Sequence, residues 1–227
     1  MTSSDTQLYT EKLSDQVYVI IRDRIINNLL KPGTRLNFIE LQEELKISKT
    51  PLREALNRLN MEGLVDVKPR SGSYITVPTK QDIIEIYDLR QAIEMKAVQL
   101  AIEHLPESAL FDLQKEILHA EDMIKQGEYE YFMKSDTNFH GTILKYCGNV
   151  RIQNVMSTIE SHIRWFGVIT ATTEERMYHS SRRHKQILEA LFDKNGKLAR
   201  DLLEIHIEEV KLDMLDDYSK TDYFNMS

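Results

Sequence analysis

The sequence predicts a mainly α-helical protein with an N-terminal winged helix-turn-helix domain and a C-terminal all-α bundle of six antiparallel helices. Three observations predict this class. Apolar residues recur at helical spacing over most of the 227 residues, β-type alternation is confined to residues 64–77, and the breaks between helical stretches are short. We therefore assign a disordered tail to 1–10, the winged helix-turn-helix domain to 11–78, the helical domain to 79–218 and a frayed tail to 219–227.

The composition excludes several classes of protein. A single cysteine, Cys147, excludes an internal disulfide framework and fits a reducing compartment. No run of 18 apolar residues exists, and the polar N-terminus lacks the apolar core of a signal peptide. Eight glycines and five prolines are too few for a low-complexity or collagen-like chain. We expect a cytoplasmic protein that does not enter membranes.

Two helices are predicted at the start of the winged helix-turn-helix domain. The first ends before Pro32-Gly33, a helix-stopping pair. Its apolar positions are Leu13, Val17, Ile20, Ile21, Ile25 and Leu29. A short second helix follows, and its apolar residues are Ile39, Leu41 and Leu45.

A third helix is predicted to begin at Thr50-Pro51. Threonine is a good N-cap, and proline at the first helical position loses no hydrogen bond. The helix ends at Glu62-Gly63, and its buried face comprises Leu52, Ala55, Leu56 and Leu59. With the turn at 46–48, it completes a helix-turn-helix pair.

A basic β-hairpin is predicted after the third helix. Apolar residues alternate over 64–67 and 74–77 on either side of the turn at 68–72. The first 78 residues carry a net charge of +1 and the remainder −8, and residues 46–76 hold six basic against three acidic side chains. A locally basic segment on an acidic chain favours a polyanionic partner for that segment.

The remaining chain predicts only helices. They cover about 80–103, 107–126, 128–147, 150–172, 174–193 and 196–218. The breaks fall at Pro106, Gly127, Gly148-Asn149, Thr172-Thr173 and Asn195-Gly196. Connections this short make successive helices antiparallel neighbours.

Histidine and aspartate residues on three of these helices form a candidate metal site. Asp136 and His140 are four residues apart, so they share one helix face. His184 and His206 lie on the fifth and sixth helices beside apolar neighbours. Three imidazoles and one carboxylate can hold a metal with open positions. The spacing alone also fits histidines that simply pack in a core.

The N-terminal segment resembles the DNA-binding domain of the GntR family of bacterial repressors. The residues that carry the resemblance are Pro32-Gly33, Leu36, Leu41, Leu45, the run 47–56, Leu59, Glu62-Gly63-Leu64 and Gly72. In such a domain the third helix enters the major groove. The expected DNA contacts are Ser48, Lys49, Thr50, Arg53, Arg58, Arg70 and Gly72. Lys49 replaces the arginine usual in the family, and lysine cannot form a bidentate fork with guanine.

Within that set the roles differ by position. We expect Arg53 to read a base edge, because it lies one turn into the recognition helix. Ser48 and Arg58 are expected to meet phosphates, while Arg70 and Gly72 in the wing approach the backbone or the minor groove.

The C-terminal segment resembles the FCD domain, the effector-binding half of FadR-type GntR regulators. The resemblance rests on Asp136-x-x-x-His140, Gly148-Asn149 and the His184-Lys-Gln-Ile-Leu…Ala199…His206 pattern, and six helices resemble the VanR-type branch. Many members bind a divalent metal through one Asp and three His, which implies Asp136, His140, His184 and His206. We expect zinc, with nickel or manganese as alternatives. Gly196-Lys197 replaces the usual Gly-Asp, which we expect to affect capping only.

Three residues are candidates for binding the effector. Arg90 matches an arginine of the FCD pattern and would clamp a carboxylate, although an ion pair with Glu94, four residues on, is the alternative. Arg164 is a second candidate cation, and His162 a candidate pocket-lining residue.

The leading hypothesis is a homodimeric, non-enzymatic transcription regulator. It binds a palindromic double-stranded DNA operator, and a small carboxylate metabolite at the metal site modulates its affinity. A metal-dependent hydrolase is the first alternative, but H-E-x-x-H, G-x-S-x-G and P-loop motifs are absent from the sequence. The second alternative is a regulator with a metal-free pocket for an acyl chain.

Overall fold

The computed structural model describes residues 12–170 and 173–219. They form two compact units, and the division falls between Val77 and Pro78. The predicted tail at 1–10 and all of the tail at 219–227 except Ser219 lie outside the described residues.

The first unit is a winged helix-turn-helix, as predicted. Its elements are α1 (Leu13–Ile26), α2 (Phe38–Leu45), α3 (Lys49–Met61), β1 (Val65–Lys68) and β2 (Gly72–Ile75). The strands are antiparallel, with Val65 opposite Ile75 and Lys68 opposite Gly72. Both α1 and α2 pack against α3, so the recognition helix rests on a continuous apolar core.

The buried face of α1 differs from the predicted one. Its buried residues are Val17, Tyr18, Ile21, Ile25 and Ile26. Leu13 and Ile20 are exposed, and Leu29 lies beyond the helix and is 74% exposed. The helix ends at Ile26, and Asn28 adopts a positive φ of 56°, so the helical spacing does not extend to Leu29.

The recognition helix α3 begins two residues earlier than predicted. Ser48 is the N-cap and Lys49 the first helical residue, so the assignment of Thr50 as N-cap was wrong. Pro51 is the third residue and still loses nothing, because the first four N–H groups of a helix have no partner within it. The predicted apolar face, Leu52, Ala55, Leu56 and Leu59, is buried as expected.

The second unit consists of six helices over its described residues. They are α4 (Lys80–Ala101), α5 (Glu107–Ile124), α6 (Tyr129–Tyr146), α7 (Val150–Ile169), α8 (Glu174–Phe192) and α9 (Gly196–Tyr218). The predicted bounds hold to within three residues, although 171–172 lie outside the described chain. Among the described residues, no helix is long and apolar enough to cross a membrane.

Side-chain caps explain where several of these helices begin. Thr79 and Asp82 form a capping box at the start of α4. Asn149, Thr173 and Asn195 accept hydrogen bonds from the first turns of α7, α8 and α9. The core helix α4 packs against α6, α7 and α9, and α8 packs against α5 and α9. This arrangement brings α4, α6, α8 and α9 around one interior.

Candidate functional site

The four predicted metal ligands lie together in that interior. One donor atom from each of Asp136, His140, His184 and His206 lies within 4.8 Å of the other three. His184 Nε2 is 3.1 Å from His206 Nε2 and 3.6 Å from Asp136 Oδ1. The three imidazoles are buried and Asp136 is partly exposed, so the cluster has one open side. We call these four residues the Asp/His cluster.

Glu94 on α4 fixes the orientation of His140. Its Oε2 is hydrogen-bonded to His140 Nδ1, and the Glu94 side chain is fully buried. The other ring nitrogen, Nε2, therefore faces Asp136 and the cluster. That nitrogen is buried and has no hydrogen-bond partner among the described residues. A carboxylate on the far nitrogen of a histidine is the usual support of a metal-ligating imidazole.

Burial keeps two imidazoles of the cluster, those of His184 and His206, neutral by lowering their pKa values. It lowers the pKa of His184 to about 3, against the opposing effect of Asp136. It also lowers the pKa of His206 well below its ordinary value, and the neighbouring His184 and His140 lower it further. Neutral imidazole is the form that binds metals. The donor set, with His184 and His206 held neutral, thus fits a divalent cation.

Arg90 forms the buried ion pair considered as its alternative role. Arg90 Nε is 2.6 Å from Glu94 Oε1. Burial alone would raise the pKa of Glu94, but His140 and Arg90 outweigh it and lower that pKa to about 2. Arg90 nevertheless lines both of the cavities that adjoin the Asp/His cluster, so the ion pair and a position facing a ligand coexist.

Two cavities adjoin the Asp/His cluster, and we call them the proximal and the distal chamber. The proximal chamber, about 280 Å³, is lined by Asp136, His140, Lys145 and Ser157, among others. The distal chamber is about 90 Å³. They share a wall consisting of Arg90, Asp136, Thr137, Ile163 and Arg164.

The two remaining effector candidates are placed differently. Arg164 lines both chambers. His162 is not among the described residues that line either chamber, and its ring lies against that of Phe166. Arg164 can therefore contact a ligand in either chamber, whereas the role of His162 in binding the effector stays a prediction.

The N-terminal end of α3 presents an exposed polar and basic surface. Ser48, Lys49, Thr50 and Arg53 are all exposed there. Within the described chain, neither Lys49 nor Arg53 forms an ion pair, so both cations are available to a polyanion. Arg58, in contrast, stacks 3.6 Å from the ring centroid of Tyr18 and pairs with Glu62 and Asp15. A phosphate contact by Arg58 would have to compete with these partners.

Beside the predicted wing residues Arg70 and Gly72 lies a further cation, Arg35, which the sequence pattern did not indicate. Arg70 is exposed at the turn with a positive φ of 64°. Gly72 has a φ of 120°, and a Cβ atom there would lie 3.2 Å from Arg35 Nε. Glycine at 72 therefore leaves room for the side chain of Arg35. Arg35 lies just before α2, and its backbone forms an isolated antiparallel β-bridge with Tyr74 of the wing. Arg35 lies too far from the hairpin in sequence for hairpin patterning to include it.

These features define a class of protein: a winged-helix DNA-binding domain followed by a helical domain with a metal-competent interior. Two family models match the chain. Residues 13–75 match the bacterial regulatory proteins of the gntR family, and residues 85–209 match the FCD domain. The chain belongs to the GntR family of transcriptional regulators, in the group that carries an FCD domain.

Known relatives share this organisation. The HTH-type transcriptional regulator YdhC of Bacillus subtilis is 29% identical over 192 residues, 84% of this chain and 86% of that protein. The HTH-type transcriptional repressor RspR of Escherichia coli is 26% identical over 211 residues, 91% of each chain. The solved structure of E. coli McbR/YncC covers 92% of this chain and all of its own, with a TM-score of 0.78. At 23% identity, the likeness to that structure concerns the fold.

Proposed function

We propose that this regulator senses a small carboxylate metabolite at a divalent metal held by the Asp/His cluster. The single observation that carries the proposal is His140 Nε2, a buried nitrogen without a hydrogen-bond partner among the described residues, which Glu94 orients toward three further donor groups. Leaving such an atom unpaired costs about 1–3 kcal/mol, so a ligand for it stabilises the fold.

Three imidazole nitrogens and one carboxylate oxygen are a donor set that zinc accepts, with nickel or manganese as alternatives. A divalent cation held there supplies positive charge and open coordination positions for a ligand oxygen. The chain itself supplies two guanidinium groups at the shared wall, Arg90 and Arg164. Both favour an anionic ligand, and Arg90 is held in place by Glu94.

We further propose that two copies of the chain bind a near-palindromic operator in the cytoplasm. One recognition helix per chain supports this, because a two-fold dimer addresses two related half-sites. The contacting residues would be Ser48, Lys49, Thr50, Arg53, Arg58, Arg70 and Gly72. We propose that the protein represses transcription from this operator, by analogy with RspR, which is named a repressor.

The test is operator binding by the metal-loaded protein in the presence of a panel of small carboxylates. We expect at least one acid to change operator affinity, and removal of the metal with a chelator to abolish that response. An equal response with and without metal would favour the metal-free acyl-ligand regulator. Metal-dependent turnover of the acid would instead support the hydrolase.

A further inference from the structure

The distal chamber leads away from the Asp/His cluster along five helices. From His184 on α8, Ser180 is one helical turn away and Arg176 two turns away. From His206 on the antiparallel α9, the lining residues Val210 and Asp213 follow in the matching direction. Each helical turn advances about 5.4 Å, so the chamber extends roughly 6–12 Å from the cluster. A ligand that begins at the cluster can therefore continue into it.

The distal chamber has a largely apolar stretch of lining, beside which lies a hydroxyl group without a hydrogen-bond partner among the described residues. Its apolar lining consists of Phe132, Met133, Ile163, Val210 and Met214. Ser180 also lines it, and Ser180 Oγ is buried without a hydrogen-bond partner among the described residues. The Ser180 residue is only 8% exposed. A buried, unpaired hydroxyl that faces a cavity indicates a polar ligand group at that depth.

The far end of the chamber is acidic. Arg176 Nε lies 3.3 Å from Asp213 Oδ1, Arg176 Nη2 lies 2.8 Å from Asp216 Oδ2, and Nη1 donates to Asp217. One cation thus meets three carboxylates, and two of these, Asp213 and Asp217, line the chamber. The guanidinium nitrogens of Arg176 are thus already paired with aspartates of the chain. Arg176 therefore does not offer two N–H donors to a carboxylate group at the far end of a ligand.

The raised pKa of Asp213 is consistent with an end of the chamber at which, among the described residues, three carboxylates share one guanidinium group. Burial raises the pKa of Asp213, Arg176 opposes this effect, and the neighbouring Asp217 and Asp216 add to it. A further cation beside Asp213 would offset both contributions.

We propose that the distal chamber binds the ammonium end of an unbranched ω-amino carboxylate. This inference rests on the proposed function, because the carboxylate end is placed at Arg90 and the Asp/His cluster. The methylene chain packs along the apolar lining, and the ammonium group donates to Ser180 Oγ and faces Asp213, the nearer carboxylate of the acidic end. A chain of five bonds between carboxyl carbon and nitrogen spans about 6 Å, the rise from His184 to Ser180.

The probes are 5-aminopentanoate, pentanoate and glutarate, titrated calorimetrically into the metal-loaded, full-length protein. All three have five carbon atoms and differ at the fifth, which carries an ammonium group in the first, is a methyl group in the second and is a carboxylate carbon in the third. We expect 5-aminopentanoate to bind on the order of tenfold more tightly than pentanoate, the effect of one charge-assisted hydrogen bond. Glutarate should bind most weakly, because its second carboxylate is directed toward the carboxylate of Asp213.

Three variants separate the chamber from general electrostatics. Ser180→Ala and Asp213→Asn should each reduce the preference for 5-aminopentanoate over pentanoate, with pentanoate affinity and metal content unchanged. Asp216→Asn is the matched control, since Asp216 pairs with Arg176 but does not line the chamber. It should retain the preference.

The outcomes distinguish this inference from the function on which it rests. Equal affinities for the three probes, tightest binding of glutarate, or an unchanged preference in both chamber variants would overturn the ammonium subsite alone. Failure of all three probes to bind the metal-loaded protein would overturn the carboxylate site, and the ammonium subsite with it.

Discussion

At the residue scale, Glu94 distinguishes a metal-competent cluster from histidines that merely pack in a core. It pairs with His140 on one side and Arg90 on the other, and all three side chains are buried. Asp136 and His140 could be recognised locally, because their spacing of four residues is helical. His184 and His206 needed the family resemblance. Glu94 escaped notice as a support of His140, since the two are 46 residues apart in sequence.

Replacing Glu94 tests this support. Glu94→Gln should weaken metal binding about 10–100-fold, because His140 loses the carboxylate that orients it. Competition with a chromogenic chelator measures the affinity. The matched control is Glu85→Gln, an exposed position on the same helix, which should bind metal like the parent. Parental affinity in Glu94→Gln would show that the pair does not support the cluster.

The lowered pKa of His184 predicts an acid-sensitive fold in the metal-free protein. In the unfolded chain this imidazole takes up a proton below about pH 6.5, whereas in the folded chain it remains neutral down to about pH 3. Between these values the unfolded state binds more protons, so the free energy of unfolding decreases as the pH falls below about 6.5. Urea unfolding at pH 7.5 and 5.5 measures the effect.

His184→Gln should show a smaller acid-induced loss of stability than the parent, and His179→Gln, on the exposed side of the same helix, should show the parental loss. An identical pH dependence in all three proteins would mean that His184 does not remain neutral on folding.

At the element scale, helical periodicity located the helices well and their ends less well. All six helices of the second unit were predicted within three residues, because Gly, Pro and Asn punctuate them strongly. The start of α3 was misplaced, since Thr50 and Ser48 are both acceptable caps and the preceding turn selects between them. The apolar face of α1 was predicted to continue to Leu29, although the helix ends at Ile26.

The geometry of α3 separates two of its arginines. Arg53→Ala should cost about 1–3 kcal/mol on the cognate operator and relax specificity at one base step, because Arg53 is exposed near the N-terminal end of the helix. Arg58→Ala should mainly lower the unfolding midpoint, since Arg58 stacks on Tyr18. Fluorescence anisotropy on cognate and random duplexes measures the first effect. Equal weakening of Arg53→Ala on both duplexes would indicate a phosphate contact instead.

At the scale of the whole molecule, the end of α9 is hydrogen-bonded to Pro78, the residue at which the helical unit begins. Tyr218 Oη, at the end of α9, donates to the carbonyl oxygen of Pro78 at 3.2 Å. Helix α4 begins just after Pro78 and carries Arg90 about 15 Å from its start. The same α9 carries His206 of the Asp/His cluster. Helices α4 and α9, which both line the ligand site, are therefore linked to Pro78, the first residue of the second unit, one by the chain itself and the other by this hydrogen bond.

Removing the hydroxyl group of Tyr218 tests this connection. Tyr218→Phe should leave acid binding near parental but reduce the effect of the acid on operator affinity, within a typical coupling of about 5–150-fold. Because coupling is reciprocal, the operator should also change acid affinity less in this variant. Titrations of each ligand with and without the other measure both factors. Full coupling in Tyr218→Phe would exclude the Pro78 contact from the route.

The metal content of the purified protein tests the central claim most directly. Elemental analysis of the parent should find about one divalent metal ion per chain, as four donors within reach of one ion require. His184→Ala and His206→Ala should lose most of that metal, while His179→Ala should retain it. A metal-free parent, even after incubation with zinc, nickel or manganese, or full occupancy in both cluster variants, would contradict the account.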